Sequence, residues 1–72
     1  MPENDCYIPD INGLNFIAYM GELAGMPKAD AIQRAHEVLQ YVNLGEARYR
    51  KVETYSIGMK QRVKLAQALI HD

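Results

Sequence analysis

The chain has 72 residues, which is enough for one small domain with a modest hydrophobic core and marginal stability of its own. Hydrophobic residues make up 49% of it and charged residues 24%, which excludes a disordered chain, and no apolar run approaches the roughly 20 residues of a membrane-spanning helix. With no such run, no leader-like segment and a single cysteine, Cys6, that cannot form an internal disulfide, a soluble intracellular chain is predicted. The net charge of −1 favours neither nucleic acid nor an acidic membrane.

The first dozen residues are rich in turn formers and predict a loop rather than a helix. A first helix is predicted to begin near Asp10 or Asn12 and to end at Gly25 and Pro27. Its apolar residues recur at helical spacing in two stripes: Leu14, Ile17, Ala18, Gly21 and Ala24 in one, and Phe16, Tyr19, Met20 and Leu23 in the other. Because such a helix is apolar nearly all round, it is either the core of a bundle or a surface that meets another protein.

A second helix is predicted at about 28–43, with one apolar face made of Ile32, Ala35, Val38, Leu39 and Val42. Leu44 and Gly45 are expected to close this helix. A short helical turn is predicted at 46–50, and a polar linker at 51–55 then leads to the last helix.

The last helix is predicted to begin at Ser56, which can cap its first turn. Gly58 lets a ligand approach the backbone closely. The first N–H groups of a helix lack intrahelical partners and carry partial positive charge. This helix start therefore predicts an anion-binding site. An apolar stripe continues along the helix through Met59, Val63, Ala66 and Ile70.

Basic residues are concentrated near this helix start. Residues 48–64 hold six lysines and arginines against a single acid, Glu53, whereas residues 1–47 hold seven acids and two bases. Two interpretations remain open: a solvated basic face, and a cluster that surrounds a phosphate-facing helix start. Since no strand-like alternation occurs anywhere, the predicted fold is all-α, a small bundle of three main helices plus a short helical turn.

The segment Tyr55-Ser56-Ile57-Gly58-Met59 resembles the signature loop of the ATP-binding cassette (ABC) ATPases of membrane transporters, which commonly reads Leu-Ser-Gly-Gly-Gln. The continuation at 60–72 resembles the helix that runs in this family to just before the Walker B strand. Upstream, Met1-Pro2-Glu3 looks like the end of the family's Q-loop. The resemblance covers the whole chain and implies a Q-loop end at 1–9 and a helical subdomain at 10–72, within a parent domain of the α/β class.

The resemblance implies that the signature loop at 55–59 contacts the γ-phosphate of ATP held by an opposing ATPase subunit in a head-to-tail dimer. Ser56 would donate its hydroxyl, and backbone N–H groups around Gly58 and Met59 would add donors, with Ile57 between Ser56 and Gly58 in the same ATP-binding loop. The implied cofactors are ATP and Mg²⁺, both in the intact protein, with Glu3 at the Q-loop position that normally reaches the metal and water. Ile57 and Met59 depart from the family's usual glycine and glutamine.

The resemblance also implies a transmembrane transporter subunit as a partner, and hence a cytoplasmic protein held at the inner face of the membrane. Candidate contacts are Tyr7, Ile8, Phe16, Tyr19 and Met20. The sequence contains no Gly-x-x-x-x-Gly-Lys-Ser/Thr loop and no apolar strand ending in Asp-Glu. We therefore interpret the chain as a piece of a larger ATPase and expect no ATP turnover from it alone.

Two alternatives come from other functional classes. In a helix-turn-helix DNA reader, the last helix would present Lys60, Arg62 and Lys64 to the major groove. These residues alternate along the helix, so they spread around it instead of forming one face, and we expect no nucleic-acid partner. The other alternative is a helical protein-interaction module that docks through the first helix.

Overall fold

Three α-helices and one short 3₁₀ helix make up the described part of the chain. The computed structural model describes residues 10–71, with α1 at Gly13–Leu23, α2 at Lys28–Tyr41 and α3 at Ile57–Ile70. The 3₁₀ helix, η1, lies at Val52–Thr54. The prediction of a small all-α bundle is confirmed. Within residues 10–71, none of the helices combines the length and the apolar character that crossing a membrane requires.

Helix α1 begins and ends at the residues that its sequence predicts. The Asn12 side-chain oxygen Oδ1 accepts a hydrogen bond from the Asn15 N–H at 2.7 Å, which caps the first turn. Asp10 has a φ of 64° and so lies outside the helix. At the other end, Gly25 takes a φ of 105°, a conformation that glycine adopts without strain and that stops the helix.

Helix α2 ends earlier than the sequence predicts, and a different residue closes it. Its last helical residue is Tyr41, and Asn43 follows with a φ of 65° in the left-handed region. The Leu44 N–H then donates to the Leu39 carbonyl at 2.8 Å. The predicted closure at Leu44 and Gly45 was therefore wrong, because asparagine tolerates the left-handed conformation and makes this turn itself.

The segment between α2 and α3 is anchored to the core. The short helical turn is present, but it lies at Val52–Thr54, whereas 46–50 forms a series of turns. The stretch expected to be a polar linker places Val52 at 0% exposure and Tyr55 at 5%. These two apolar residues stand three apart, which brings both to the same side of a 3₁₀ turn and pulls the segment inward.

The core joins all three helices. Helix α1 packs mainly on α2, and α3 contacts both. The largest side chains that are fully buried are Ile17, Leu39, Leu44, Val52, Val63 and Ile70. Phe16 is buried as well, so this member of the predicted membrane-partner surface belongs to the core, because its side of α1 faces the bundle.

Candidate functional site

The first turn of α3 turns three consecutive residues outward. Tyr55 and Met59 hold the segment at its two ends, since Tyr55 is buried and Met59 packs against the core. Ser56, Ile57 and Gly58 between them are exposed, and Ile57 shows 80% of its surface to solvent. We call residues 56–58 the outward loop. Because these three residues are already exposed, an outside molecule can reach them without displacing any core side chain.

Ser56 caps α3, as predicted. Its backbone is extended, and its hydroxyl oxygen accepts a hydrogen bond from the Met59 N–H at 3.1 Å. A serine hydroxyl has one proton to donate and two lone pairs to accept with, and the cap uses one lone pair. The proton has no acceptor within residues 10–71, so capping and donation to an outside oxygen are compatible.

Two backbone donors of the same turn remain open. The Met59 N–H is occupied by Ser56, and the Lys60 N–H donates to the Ser56 carbonyl at 2.9 Å. The N–H groups of Ile57 and Gly58 have no acceptor within the described part of the chain. The donors that an outside ligand could use are therefore those of Ile57 and Gly58, and not that of Met59.

The other two helix starts differ from this one. At α1, the N–H groups of Gly13 and Leu14 donate to the carbonyls of Arg50 and Arg48, at 3.2 and 2.9 Å. At α2, the first turn contains the acidic residue Asp30, which repels an anion. The first turn of α3 contains no acidic residue, so its partial positive charge is uncompensated there.

Gly58 has open space on the side where a Cβ would lie. A Cβ built on this residue meets no atom of the described chain within 4 Å, and its φ is outside the left-handed region. The fold of residues 10–71 therefore gives no steric or conformational reason for glycine at this position. A physical reason that remains for glycine at position 58 is the close approach of a ligand or partner to its backbone.

Tyr55 is buried directly before the outward loop and anchors it to the core, a role that the sequence did not predict. Its hydroxyl donates a hydrogen bond to the Ala47 carbonyl, and the Arg50 guanidinium lies 5.8 Å from the centre of its ring. Burial raises the pKa of the Tyr55 phenol, and the Arg50 charge and the nearby Gly13 backbone N–H partly oppose that rise. The available signal was an apolar residue directly before a cap, a position that commonly packs against the fold.

The basic residues of the predicted cluster have mixed roles. Arg48 donates to the Gly45 carbonyl and stacks on the Tyr49 ring at 4.9 Å, and Lys51 pairs with Asp10 at 2.9 Å. The upstream cations therefore stabilise their own chain. Closer to the helix start, a groove of about 400 Å³ lies beside the first turn of α3, and its charged lining residues are Arg50, Arg62 and the acid Glu46.

The remaining predicted residues are placed as follows. Glu3, Tyr7 and Ile8 lie outside the described residues. Tyr19 is 43% exposed on α1, and Met20 is partly buried against the core. Within residues 10–71, no group of three or more His, Cys, Asp or Glu side chains could hold a metal ion.

Comparison with known proteins places this chain in a family. The family model described as ABC transporter matches residues 2–72. The chain therefore belongs to the ABC transporter family, as the resemblance of its signature-like loop predicted. The comparison with solved structures gives no match.

Curated relatives are similar along nearly the whole chain. An uncharacterized ABC transporter ATP-binding protein, YxlF of Bacillus subtilis, is 35% identical over 71 residues, which cover 99% of this chain and 24% of that protein. The linearmycin resistance ATP-binding protein LnrL of Bacillus subtilis is 35% identical over 99% of this chain and 23% of its own length. The taurine import ATP-binding protein TauB of Pseudomonas putida is 40% identical over 97% of this chain and 27% of its own length. The chain thus spans about a quarter of the length of the relatives it matches.

Proposed function

We propose that this chain is the helical subdomain of an ATP-hydrolysing ABC transporter subunit, with its outward loop completing an ATP site on an opposing subunit. By the family resemblance, 1–9 correspond to the end of the Q-loop, with Glu3 at the position that in the family reaches the metal, and 10–72 correspond to the subdomain. ATP and Mg²⁺ are bound by the intact protein. The observation that carries the proposal is the exposed start of α3, where two N–H donors and one hydroxyl proton lack partners within residues 10–71.

The chemistry of these donors suits a terminal phosphate. A phosphate group presents several acceptor oxygens with negative charge, and a helix start offers N–H groups together with partial positive charge. Hydrogen bonds to charged groups contribute about 1.5–3 kcal/mol each. Three such bonds from Ser56, Ile57 and Gly58 are enough to decide whether two subunits stay together.

Loss of the γ-phosphate then changes the dimer. The contacts of the outward loop exist only while ATP is intact, so hydrolysis removes what holds the opposing subunit. The equilibrium shifts from the closed to the open dimer because the ligand binds the two states differently. ATP binding and hydrolysis are thereby converted into relative motion of the two subunits.

A transmembrane transporter subunit is the second proposed partner, and it would hold the protein at the cytoplasmic face of the membrane. Phe16 is excluded from this contact by its burial. Tyr19 and Leu23 are exposed on α1, at 43% and 62%, and they are the described apolar residues of this helix that a partner could cover. No role in nucleic-acid binding is proposed.

The proposal is tested by a substitution that adds negative charge at position 56 and keeps the capping hydrogen bond. Aspartate caps helices about as well as serine. Ser56→Asp in the full-length ATPase should therefore keep the fold but place a carboxylate against the incoming phosphate. We expect ATP-driven dimerisation, measured by light scattering in a hydrolysis-blocked background, to be lost. Ser56→Arg should give the same loss through steric block.

Asn12→Asp is the matched control. It introduces the same carboxylate at the cap of α1, where the Gly13 and Leu14 N–H groups are already bonded to carbonyls. We expect Asn12→Asp to dimerise with ATP as the parent does. Normal dimerisation of Ser56→Asp would contradict the proposal.

A further inference from the structure

We infer that Tyr55 is a positioning residue, whose buried ring and phenol hydroxyl hold the start of the outward loop between the Ala47 turn and the first residue of α1. The inference rests on the proposed function, since it assigns a task to the residue that precedes the phosphate-facing Ser56. Tyr55 itself is buried and does not touch the ligand. It acts by setting where the Ser56 hydroxyl and the two open N–H donors stand.

The first support is the fit between Tyr55 and Gly13. The Tyr55 hydroxyl donates to the Ala47 carbonyl, eight residues earlier in the chain. A Cβ on Gly13 would overlap the Tyr55 hydroxyl oxygen and would stand 3.3 Å from the ring carbon that bears it. Glycine at position 13 is therefore required by the phenol oxygen, and the hydroxyl is confined between the start of α1 and the Ala47 turn.

The second support is that the same two segments are joined through their backbones. The Gly13 N–H donates to the Arg50 carbonyl at 3.2 Å, and the Val52 N–H donates to the Ile11 carbonyl at 2.9 Å. Arg50 also reaches forward, donating from its guanidinium to the Thr54 carbonyl at 3.2 Å. The start of α1, the 48–52 segment and the residue before Tyr55 thus form one connected unit.

The consequence for the site follows from chain connectivity. Tyr55 is extended, with a ψ of 146°, and leads directly into the cap residue Ser56. With the phenol fixed at its far end, rotation of this residue is restricted, and the outward loop has a defined position relative to α1. A positioned donor binds an anion better than a mobile one, because less conformational entropy is lost on binding.

The test is Tyr55→Phe in the full-length ATPase, which removes the hydroxyl and keeps the ring. The ATP concentration at half-maximal dimerisation should rise about threefold or more, within the range that one buried hydrogen bond accounts for. Nucleotide affinity of the undimerised subunit should stay unchanged, because the outward loop serves the opposing site. Tyr41→Phe is the control, since Tyr41 is 76% exposed on α2, and it should leave the midpoint unchanged.

A double variant tests whether Tyr55 and Gly13 act through the same contact. Gly13→Ala should displace the phenol and raise the midpoint as well. Adding Tyr55→Phe to Gly13→Ala removes the overlapping oxygen, so the double variant should be no more impaired than Gly13→Ala alone. An unchanged midpoint in Tyr55→Phe would overturn the inference, and so would additive defects in the double variant.

The Ser56→Asp variant separates failure of this inference from failure of the proposed function. If Ser56→Asp loses dimerisation while Tyr55→Phe keeps the parent midpoint, the outward loop contacts the phosphate but Tyr55 does not position it. If Ser56→Asp dimerises normally, the phosphate contact is absent, and both the proposed function and this inference are overturned.

Discussion

The Ser56 hydroxyl oxygen accepts a hydrogen bond from the Met59 N–H at 3.1 Å, so the residue that caps α3 is also the one proposed to meet a phosphate. The two tasks use different parts of one hydroxyl group. The cap needs a lone pair, and the phosphate needs the proton. Stability and ligand binding can therefore be separated by substitution at this single position.

The cap should contribute measurably to stability. Ser56→Ala should lower the free energy of unfolding by about 1 kcal/mol, because the Met59 N–H loses its acceptor. Ser56→Asp should lower it by much less, since a carboxylate restores the acceptor and interacts favourably with the helix start. Urea denaturation of the 72-residue chain, followed by circular dichroism, measures both. Equal stability of the serine and alanine chains would show that the cap contributes nothing.

Gly58→Ala should change stability and function in opposite directions. Alanine is favoured over glycine in a helix by up to about 1 kcal/mol, and the added Cβ meets no atom of the described chain within 4 Å. The chain should unfold at a higher urea concentration. In the full-length ATPase the same methyl group would occupy space that the proposed phosphate contact needs, so more ATP should be required for dimerisation. A variant that is both more stable and equally responsive to ATP would remove Gly58 from the site.

Alkaline pH should destabilise the fold through Tyr55. Burial raises the pKa of this phenol above its ordinary value of 10.0 in the folded chain. The unfolded chain therefore loses the proton first, and the contribution of Tyr55 to stability is present below pH 10.0 and lost as pH rises past the folded-state value. The Asp10 carboxylate raises the pKa of Lys51 by hydrogen bonding. The contribution of this pair to stability is therefore also lost as pH rises.

Tyr55→Phe should accordingly reduce the loss of unfolding free energy at alkaline pH without abolishing it. The measurement is the free energy of urea unfolding, compared between neutral pH and pH values above 10.0. Parallel pH profiles for the parent and Tyr55→Phe would show that the buried phenol is not the titrating group.

The core should depend on Leu39 and not on the exposed leucines. Leu39 is 0% exposed, so Leu39→Ala leaves a cavity and should cost about 2–5 kcal/mol. For a chain this small, such a loss is a large fraction of the total free energy of unfolding. Leu23→Ala is the matched control, since Leu23 is 62% exposed and its truncation should change stability by about 0.5 kcal/mol or less. Thermal melting of the two variants compares them directly.

Helix positions could be predicted because their signals are local. Asn12 and Ser56 are cap residues, and Gly25 is a stop residue, so the limits of α1 and the start of α3 follow from short-range chemistry. The end of α2 could not be placed, since Asn43 competes with Gly45 for the left-handed position and tertiary packing decides between them.

The supporting half of the site was not predictable in the same way. Tyr55 contacts Gly13, which is far away in sequence, as well as Ala47, eight residues earlier, and no spacing rule indicates either contact. The basic cluster was also ambiguous, because Arg48 and Lys51 look like ligand-binding cations but pair with Gly45 and Asp10. Ser56 and Gly58 were singled out by the chemistry of a helix start and by the family resemblance together, and their role toward an outside partner stays a prediction.

The most direct test of the central claim asks which subunit Ser56 serves. Mixed dimers of the full-length ATPase would carry two defects, Ser56→Asp and a disabled phosphate loop, and the measurement is the number of ATP molecules trapped per dimer. With the defects on opposite subunits, one composite site stays intact and one ATP should be trapped. With both defects on one subunit, each site is damaged and none should be trapped. The reverse pattern, with ATP trapped only when both defects share a subunit, would contradict a loop that completes its partner's site.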